Sequence, residues 1–433
     1  MGKHIHSTDF QRKEVFVVVD GISTGRHIAP SLRGNGYSVV HVCSKNAQSL
    51  GIEHNQHDYI ANLKETDSIH DLVGSFSAFH VRAVIPGAEA GVELADQLGE
   101  ALELPTRNDF SKTKARKSKF LMQETIREKG LLAANQTKTD NLFALLDWVN
   151  KNGLPVVLKP EESAGTDGVH FCYKLNDVID AFGVIMGSDN IFKAKNKNVV
   201  AQEMLVGDEF MVNTVSFGEA ISITDIIFVH KKVINGSPLY DYSTIIGPED
   251  KRFQLISDYV KQVLPILGLN YGAAHTEVIL TQKGPTLVEV NPRLTGAFDM
   301  SATNDAVGVN HVSVLVRAYT RNGYLEKRAG MDKPHQKHTL TSFFIAEKEG
   351  ILINDPDLAP FRNIPGFHSI KFGYGKGGDL PKTTNLMNSP GMVNFVSKSM
   401  DKLLSAHGIF RKQEKQFFEE VLPAEESVAN YKL

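Results

Sequence analysis

The sequence predicts an α/β fold in which a doubly wound, Rossmann-like domain is followed by two α+β lobes. Three stretches carry that expectation. Val15–Val19 is an unbroken β-branched and aromatic run ending in Asp20-Gly21, as in a strand buried on both faces of a parallel sheet. Leu154–Pro160 is a second apolar run, and it ends in a lysine, Lys159, just before Pro160. His275–Gly296, HTEVILTQKGPTLVEVNPRLTG, reads as two strands and a turn with acids on a common face.

After the first run, Ser23-Thr24-Gly25 opens a helix through Leu32. Gly34-Asn35-Gly36 ends it, and Tyr37–Val42 is the next strand. This is a β-α-β unit whose turn lacks the GxGxxG pattern of dinucleotide-binding folds. Ala83–Pro86 adds a short strand, and Gly87–Gly91 leads into a helix over Val92–Leu102. Glu89 thus sits at a strand's carboxyl end, where open α/β sheets bind ligands, or it serves the positive end of the next helix. Glu93 is read as a helix-end charge. The expected domains are residues 1–112, 113–206 and 207–433.

Ser111–Lys119 is a basic run that starts a helix ending near Gly130, and Asn141–Asn150 forms another. Burying the stem of Lys159 costs side-chain entropy and desolvation unless an anion awaits its ammonium. The loop after it holds Ser163, Gly165, Thr166 and Gly168, small residues that let backbone N–H groups approach phosphate oxygens. His170–Tyr173 pairs back as a strand, and Asn176–Met186 is a helix.

Val199–Leu205 is a strand carrying Gln202, Glu203, Met204 and Leu205, and it turns at Gly207 ahead of Glu209. Such a crossing can hold an adenine by its backbone and a ribose by a carboxylate. The same acids also fit the solvated end of a strand. Met211–Phe217 and Ala220–Val229 read as antiparallel strands, and Ile234–Ile246, with Tyr240 and Tyr242, as a mobile loop or lid. A strongly apolar helix over Phe253–Leu267 delivers the chain to the hairpin.

Within that hairpin Glu289 and Asn291 are two apart and share a face. Glu277 lies opposite Glu289 if the turn is the three-residue loop Gln282–Gly284, with Gly284 supplying the left-handed residue. Two carboxylates, an amide oxygen and the nearby Arg293 suit magnesium with its phosphate partners. Farther on, Val307–Tyr319 reads as a helix and Leu340–Ile345 as a strand. A glycine-rich β region follows to Gly378, then helices over Val393–Leu404 and Lys412–Val421.

Composition narrows the partners. With 433 residues and a net charge of −3, there is no electrostatic case for nucleic acid or an anionic membrane. Cys43 and Cys172 have no metal-type spacing and fit a reducing compartment. No apolar run reaches transmembrane length, so a cytoplasmic protein is expected.

Several motifs, in this order, give the chain a resemblance. VIPGAEAGVELADQL, SKFLMQETIREKG, VVLKP with GTDGV, AQEMLVGDEF, and HTEV with VEVNPRLTG resemble segments of the ATP-grasp superfamily. The likeness is to its carboxylate–amine ligases, with the dipeptide-forming L-amino acid ligases nearest in character. It runs from about residue 14 to about residue 400. Ser118 stands where the family's helix usually carries Asp, with Lys119 at its lysine.

This resemblance implies two lobes clamping ATP. Lys119, Lys159 and the loop residues Ser163, Gly165, Thr166 and Gly168 would face the phosphates. Gln202 and the backbone of Glu203, Met204 and Leu205 would face adenine, and Glu209 the ribose. Glu277, Glu289 and Asn291 would hold magnesium, or manganese in its place. Arg293 and Lys159 would be catalytic, and His275, Arg293, Gly296 and Glu89 would meet the substrate. The implied reaction phosphorylates a carboxylate with ATP and passes the acyl group to the amine of an amino acid, in a homodimeric enzyme. The alternative is a carboxylase or purine-pathway ligase acting on bicarbonate, formate or a nucleotide precursor.

Overall fold

The computed structural model describes residues 12–49, 51, 53–161, 168–189, 195–234, 237–296, 299–328, 335–386 and 388–423. Its first sheet is parallel, in the order Ala61–Lys64, Ser38–Cys43, Lys13–Val19, Phe79–Pro86. Phe16 and Val18 pack with Ile28 and Leu32 on one face, while Val15, Val17 and Val19 pack with Leu94 and Leu98 on the other. Burial on both faces is why this strand reads as a continuous apolar run.

The second sheet is antiparallel, in the order Gln136–Thr139, Val199–Glu203, Val156–Pro160, His170–Cys172. Helices Leu142–Asn152 and Leu175–Gly187 cover one face, where Leu145, Val149, Val178 and Ile185 meet Val156 and Leu158. Alternation along the strand then sends Lys159 to the other face.

The third sheet has eight strands. Their order is Gly284–Asn291, Tyr271–Thr281, Gly207–Phe217, Ala220–Ile234, Ser237–Ile246, His338–Phe343, Gly391–Ser397, Phe367–Phe372. Helix Lys251–Ile266 lays Phe253, Ile256, Val260, Val263 and Leu264 against Phe210, Val212, Val278, Leu287 and Val290. Each of these buried side chains contributes on the order of 2 kcal/mol. The residues between them on the strands, Glu209, Asn213, His275, Glu277, Glu289 and Asn291, are left to the opposite face.

Several local expectations are corrected. The hairpin turns on two residues, not three, since Thr281 pairs with Gly284. Glu277 still lies opposite Glu289 because the register shifts by one between Glu277 and Val278, where Val288 is an extra residue. Gly284 does take the left-handed region, at φ +125°. The basic run is not one helix. Ser118 is extended at ψ 115°, separating a helix at Thr113–Lys117 from one at Lys119–Glu128. Its hydroxyl caps the second helix by accepting from the Leu121 amide at 3.1 Å.

The expected lid over 234–246 is instead the strand Ser237–Ile246, held between two neighbours. The first of the last two expected helices is the strand Gly391–Ser397. Ser399 then caps a single helix, Met400–Val421, that includes the second. The final hundred residues therefore extend the large sheet, and Phe344, Phe361, Phe395, Phe410 and Phe417 form the core beneath that helix.

That helix is tied to the sheet by charge. Burial would push the Asp241 carboxyl up, but a His407 hydrogen bond and the Arg411 guanidinium outweigh it and hold it down to about 2. Arg411 reaches Asp241 at 2.7 Å. A depressed carboxyl pKa gives stability that is present above the ordinary carboxylate range and lost as pH falls toward 2. Asp241→Asn should therefore cost about 2 kcal/mol at pH 7 and only about 0.4 kcal/mol at pH 2. Urea unfolding at both pH values checks this; an equal loss at both would assign the effect to packing.

Candidate active site

The cleft is built where the second and third sheets face each other, and its floor is a set of cross-strand rows. In one row Asn291, His275, Asn213 and Asp225 are successive register partners across four strands. In the next, Glu289 lies opposite Glu277, and Glu277 opposite Met211. In the third, Glu209 lies opposite Ile279. Side chains two apart on a strand share a face, so these rows place their polar groups side by side.

Cations come from above. Lys119 Nζ is 3.4 Å from Glu289 Oε2. Asn291 Nδ2 donates to Glu289 Oε1 at 2.9 Å. Burial would raise the Glu289 carboxyl, but Lys119, the Asn291 bond, Lys159 and Arg293 outweigh it and hold it down to about 2. Lys159 is the converse. Burial, and then the charge of Lys119, pull its ammonium down to about 8 against the opposing pull of Glu289 and Glu277. A buried lysine pressed toward neutrality beside a second lysine is a site prepared for an anion.

Arg293 enters from beyond the hairpin. Its Nε donates to Glu89 Oε2 at 3.0 Å, and its Nη1 to the Leu294 carbonyl at 2.9 Å. Glu89 lies in the short turn Glu89–Gly91, at the carboxyl end of strand Phe79–Pro86, so this ion pair joins the first sheet to the floor of the cleft. Glu93 instead pairs with Lys117. Gly296 closes the same stretch, just after buried Thr295.

Over 412 aligned residues the chain is 31% identical to dapdiamide A synthase of Enterobacter agglomerans, covering 94% of this chain and 97% of that one. Residues 152–301 match the model of an ATP-grasp domain. The chain belongs to the ATP-grasp ligases. It is 24% identical to phosphoribosylamine–glycine ligase of Streptococcus suis over 57% of its length and 58% of that protein's. In fold it is similar to the crystal structure of an L-amino acid ligase from Bacillus licheniformis. The TM-score is 0.73 at 15% identity, over 94% of this chain and 98% of the other. As an ATP-grasp enzyme it is an ATP-dependent carboxylate–amine ligase, forming a C–N bond.

Within this ligase, Lys119, Lys159, Glu277, Glu289, Asn291, Arg293 and His275 lie close to one another. Ser163, Gly165 and Thr166 lie outside the described residues. Gly168, at the end of that loop, has φ +66°, and a Cβ there would come within 2.8 Å of the Pro160 ring. Glycine is therefore needed for the chain to return beside the strand.

The adenine segment is partly committed to the fold. Gln202 Nε2 donates to Gln136 Oε1 at 2.7 Å. The Glu203 carboxylate accepts from the Asn135 amide at 2.9 Å, and its own N–H donates to the Asn135 carbonyl at 2.8 Å. Met204 N–H donates to the Pro155 carbonyl at 3.3 Å. Leu205 follows, ahead of strand Gly207–Phe217. Glu209 is not a surface acid: Lys231 lies 2.5 Å from its Oε2 and Tyr240 donates to its Oε1 at 3.1 Å.

Four residues of the site were missed. Glu161 is an anchor: its carboxylate accepts from Ser118 Oγ at 2.6 Å and from Lys138 at 3.0 Å, and its carbonyl takes the Lys119 amide. Tyr240 is buried, and that burial, with Glu209 and Glu277 nearby, keeps its phenol protonated as a donor. Asn213 and Asp225 are buried polar residues inside apolar strands. A polar Asn213 on the same face as Met211 and Val215, and the polar Thr224-Asp225 pair, were the available signals.

Proposed function

We propose that the enzyme joins an amino acid, or a small acid like one, to the amine of a second amino acid through an acyl-phosphate. The observation that carries this reading is the convergence of Lys119, Lys159 and Arg293 on a cleft whose floor holds Glu277, Glu289 and Asn291. The whole-length relative supports it over a purine-pathway reading, because the glycine ligase match covers only 57% of the chain.

The ATP phosphates lie between Lys159 and Lys119, beside Gly168. Adenine lies along the backbone of Glu203–Leu205, and the ribose hydroxyls donate to Glu209, exchanging with its Tyr240 contact. Glu277, Glu289 and Asn291 fit magnesium, because all three offer hard oxygens. Asn291, having given its N–H to Glu289, still has Oδ1 to offer. Magnesium, when bound, neutralises phosphate charge and aligns the leaving oxygen.

The carboxylate oxygen attacks the γ-phosphorus and ADP leaves. The amine nitrogen attacks the acyl carbon of the resulting mixed anhydride, inorganic phosphate leaves, and the nitrogen gives up a proton. Phosphorylation is needed because a free carboxylate has only oxide to expel. Lys159 and Arg293 neutralise the charge that moves from phosphate to the leaving oxygen, so no covalent enzyme nucleophile is required.

ADP release with magnesium and ATP should require both an acid and an amine, and a screen of amino acid pairs with mass spectrometry of the product identifies them. Sustained release with bicarbonate as the sole addition would overturn the reading. Lys159 gives a further expectation. Because its folded pKa is depressed, it costs the apo protein stability below about pH 8 and less as pH rises toward the ordinary lysine range. Lys159→Met should therefore raise the apo Tm by about 2–4 °C while raising the KM for ATP roughly tenfold. Unchanged kinetics in that variant would make the lysine structural.

A further inference from the structure

His275 Nδ1 is 2.9 Å from Asn213 Oδ1, and Asn213 Nδ2 is 2.6 Å from Asp225 Oδ1. Thr224 Oγ1 has two acceptors in reach, Asp225 Oδ2 at 2.9 Å and the Asn213 carbonyl at 3.1 Å, and the shorter contact takes its proton. All four residues are buried. This chain of contacts has a direction. With Thr224 donating to Oδ2, an ionised Asp225 presents Oδ1 to Asn213 as an acceptor. Asn213 must then turn its NH2 toward Asp225 and its carbonyl oxygen toward His275. A carbonyl oxygen accepts only, so the proton of the imidazole is placed on Nδ1.

A backbone irregularity builds this relay. The register between strands Gly207–Phe217 and Ala220–Ile234 shifts between Ile223 and Asp225, leaving Thr224 as the extra residue. Without the bulge Asp225 would share a face with Ile223. With it, Asp225 becomes the direct partner of Asn213 on the cleft side.

The consequence lies at the other ring nitrogen. His275 Nε2 is 3.8 Å from Glu277 Oε1. With the proton on Nδ1, Nε2 presents a lone pair beside Glu277, and with Glu277 given to magnesium that lone pair is left to a donor of the substrate. We propose that Asp225 and Asn213 are positioning residues that hold His275 protonated on Nδ1, so that its Nε2 lone pair receives an N–H of the amine substrate. The amine half rests on the function proposed above; the tautomer half does not.

Ring-15N histidine labelling and two-bond 1H–15N correlation spectra of the full chain decide the tautomer, with the His275 signals identified by their loss in His275→Gln. The wild type should show Nδ1–H. Asp225→Leu removes the acceptor and frees the Asn213 amide to turn, so the Nε2–H form should gain population. The exchange Asn213→Asp with Asp225→Asn puts a carboxylate against Nδ1 and should restore Nδ1–H. In parallel, ADP release is titrated with an equimolar mixture of the L-amino acids. The half-saturating concentration should rise about tenfold in Asp225→Leu, stay within about twofold for ATP, and return toward wild type in the exchanged pair.

An Nε2–H wild type, or an Asp225→Leu variant that keeps Nδ1–H, would overturn the relay. So would an exchanged pair that melts like wild type but does not regain the tautomer. A wild-type Nε2 resonance displaced by MgCl2 alone would assign the lone pair to metal and overturn its assignment to the amine. Absence of amine-dependent turnover with a correct Nδ1–H tautomer would strike the function reading and leave the relay standing.

Discussion

Replacing Glu289 with glutamine should stop ATP turnover while leaving the fold intact. Glutamine keeps the shape and removes one charge, and that charge holds three groups in place. Lys119 stands 3.4 Å away, the Asn291 amide donates to it, and Lys159 lies within its field. Without it Lys159 keeps the weaker pull of Glu277, and the oxygen set proposed for magnesium loses one of its two carboxylates. Removing a preorganised charge of this kind costs on the order of 10³-fold in rate or more. Because the Glu289 carboxyl is held down to about 2, losing its charge also costs stability at neutral pH, as at Asp241, so the Tm should fall by about 2–4 °C while the variant stays folded. Steady-state ADP release and a thermal melt of Glu289→Gln check both halves. Appreciable magnesium-dependent ADP release by the variant would refute the metal assignment.

Arg293→Lys should be nearly as severe, although it conserves charge. In the structure Arg293 spans two partners at once, Glu89 Oε2 through Nε and the Leu294 carbonyl through Nη1. A lysine ammonium is a point charge and cannot hold an orienting contact with one edge while offering another to the transferring phosphate. The expected loss in kcat is about 10²–10³-fold with a small change in the KM for ATP, the pattern of an interaction made in the transition state. Activity within a few-fold of wild type would mean that Arg293 serves only to tie the first sheet to the hairpin. Glu89→Gln provides the comparison, since it frees the guanidinium without removing it.

What the sequence disclosed depended on how local the physics was. Strand Lys13–Val19 was legible because burial on both faces writes itself into five consecutive apolar residues, Val15–Val19. Glu289 and Asn291 were legible because a spacing of two fixes a face on any strand. That Glu277 opposes Glu289 was anticipated, but through the wrong turn. The bulge at Val288 compensates for a shorter loop, and nothing in the residue types there announces a bulge. Asn213 and Asp225 were passed over because their meaning depends on partners in other strands, His275 being 62 residues from Asn213. The stretch around Gly391–Ser397 was misread as helix because its apolar residues also fit helical spacing. Pairing with His338–Phe343 and Phe367–Phe372 decides the matter, and those contacts are distant in sequence.

The same distinction separates the cleft from the rest of the chain. Lys159 stood out because a charged residue at the end of an apolar strand violates the usual pattern, and such violations concentrate at functional sites. Glu161 did not stand out, since an acid at a loop start is ordinary. Only the structure shows that its carboxylate accepts from Ser118 Oγ and its carbonyl takes the Lys119 amide.

The central claim is that ATP is spent to make an acyl-phosphate on the substrate carboxylate. The most direct measurement supplies ATP, magnesium and an equimolar mixture of L-amino acids labelled with 18O in both carboxyl oxygens, then examines the released inorganic phosphate by mass spectrometry. Transfer through an acyl-phosphate predicts phosphate carrying one 18O atom, in an amount equal to the amide formed. Unlabelled phosphate, or label appearing in AMP, would contradict it.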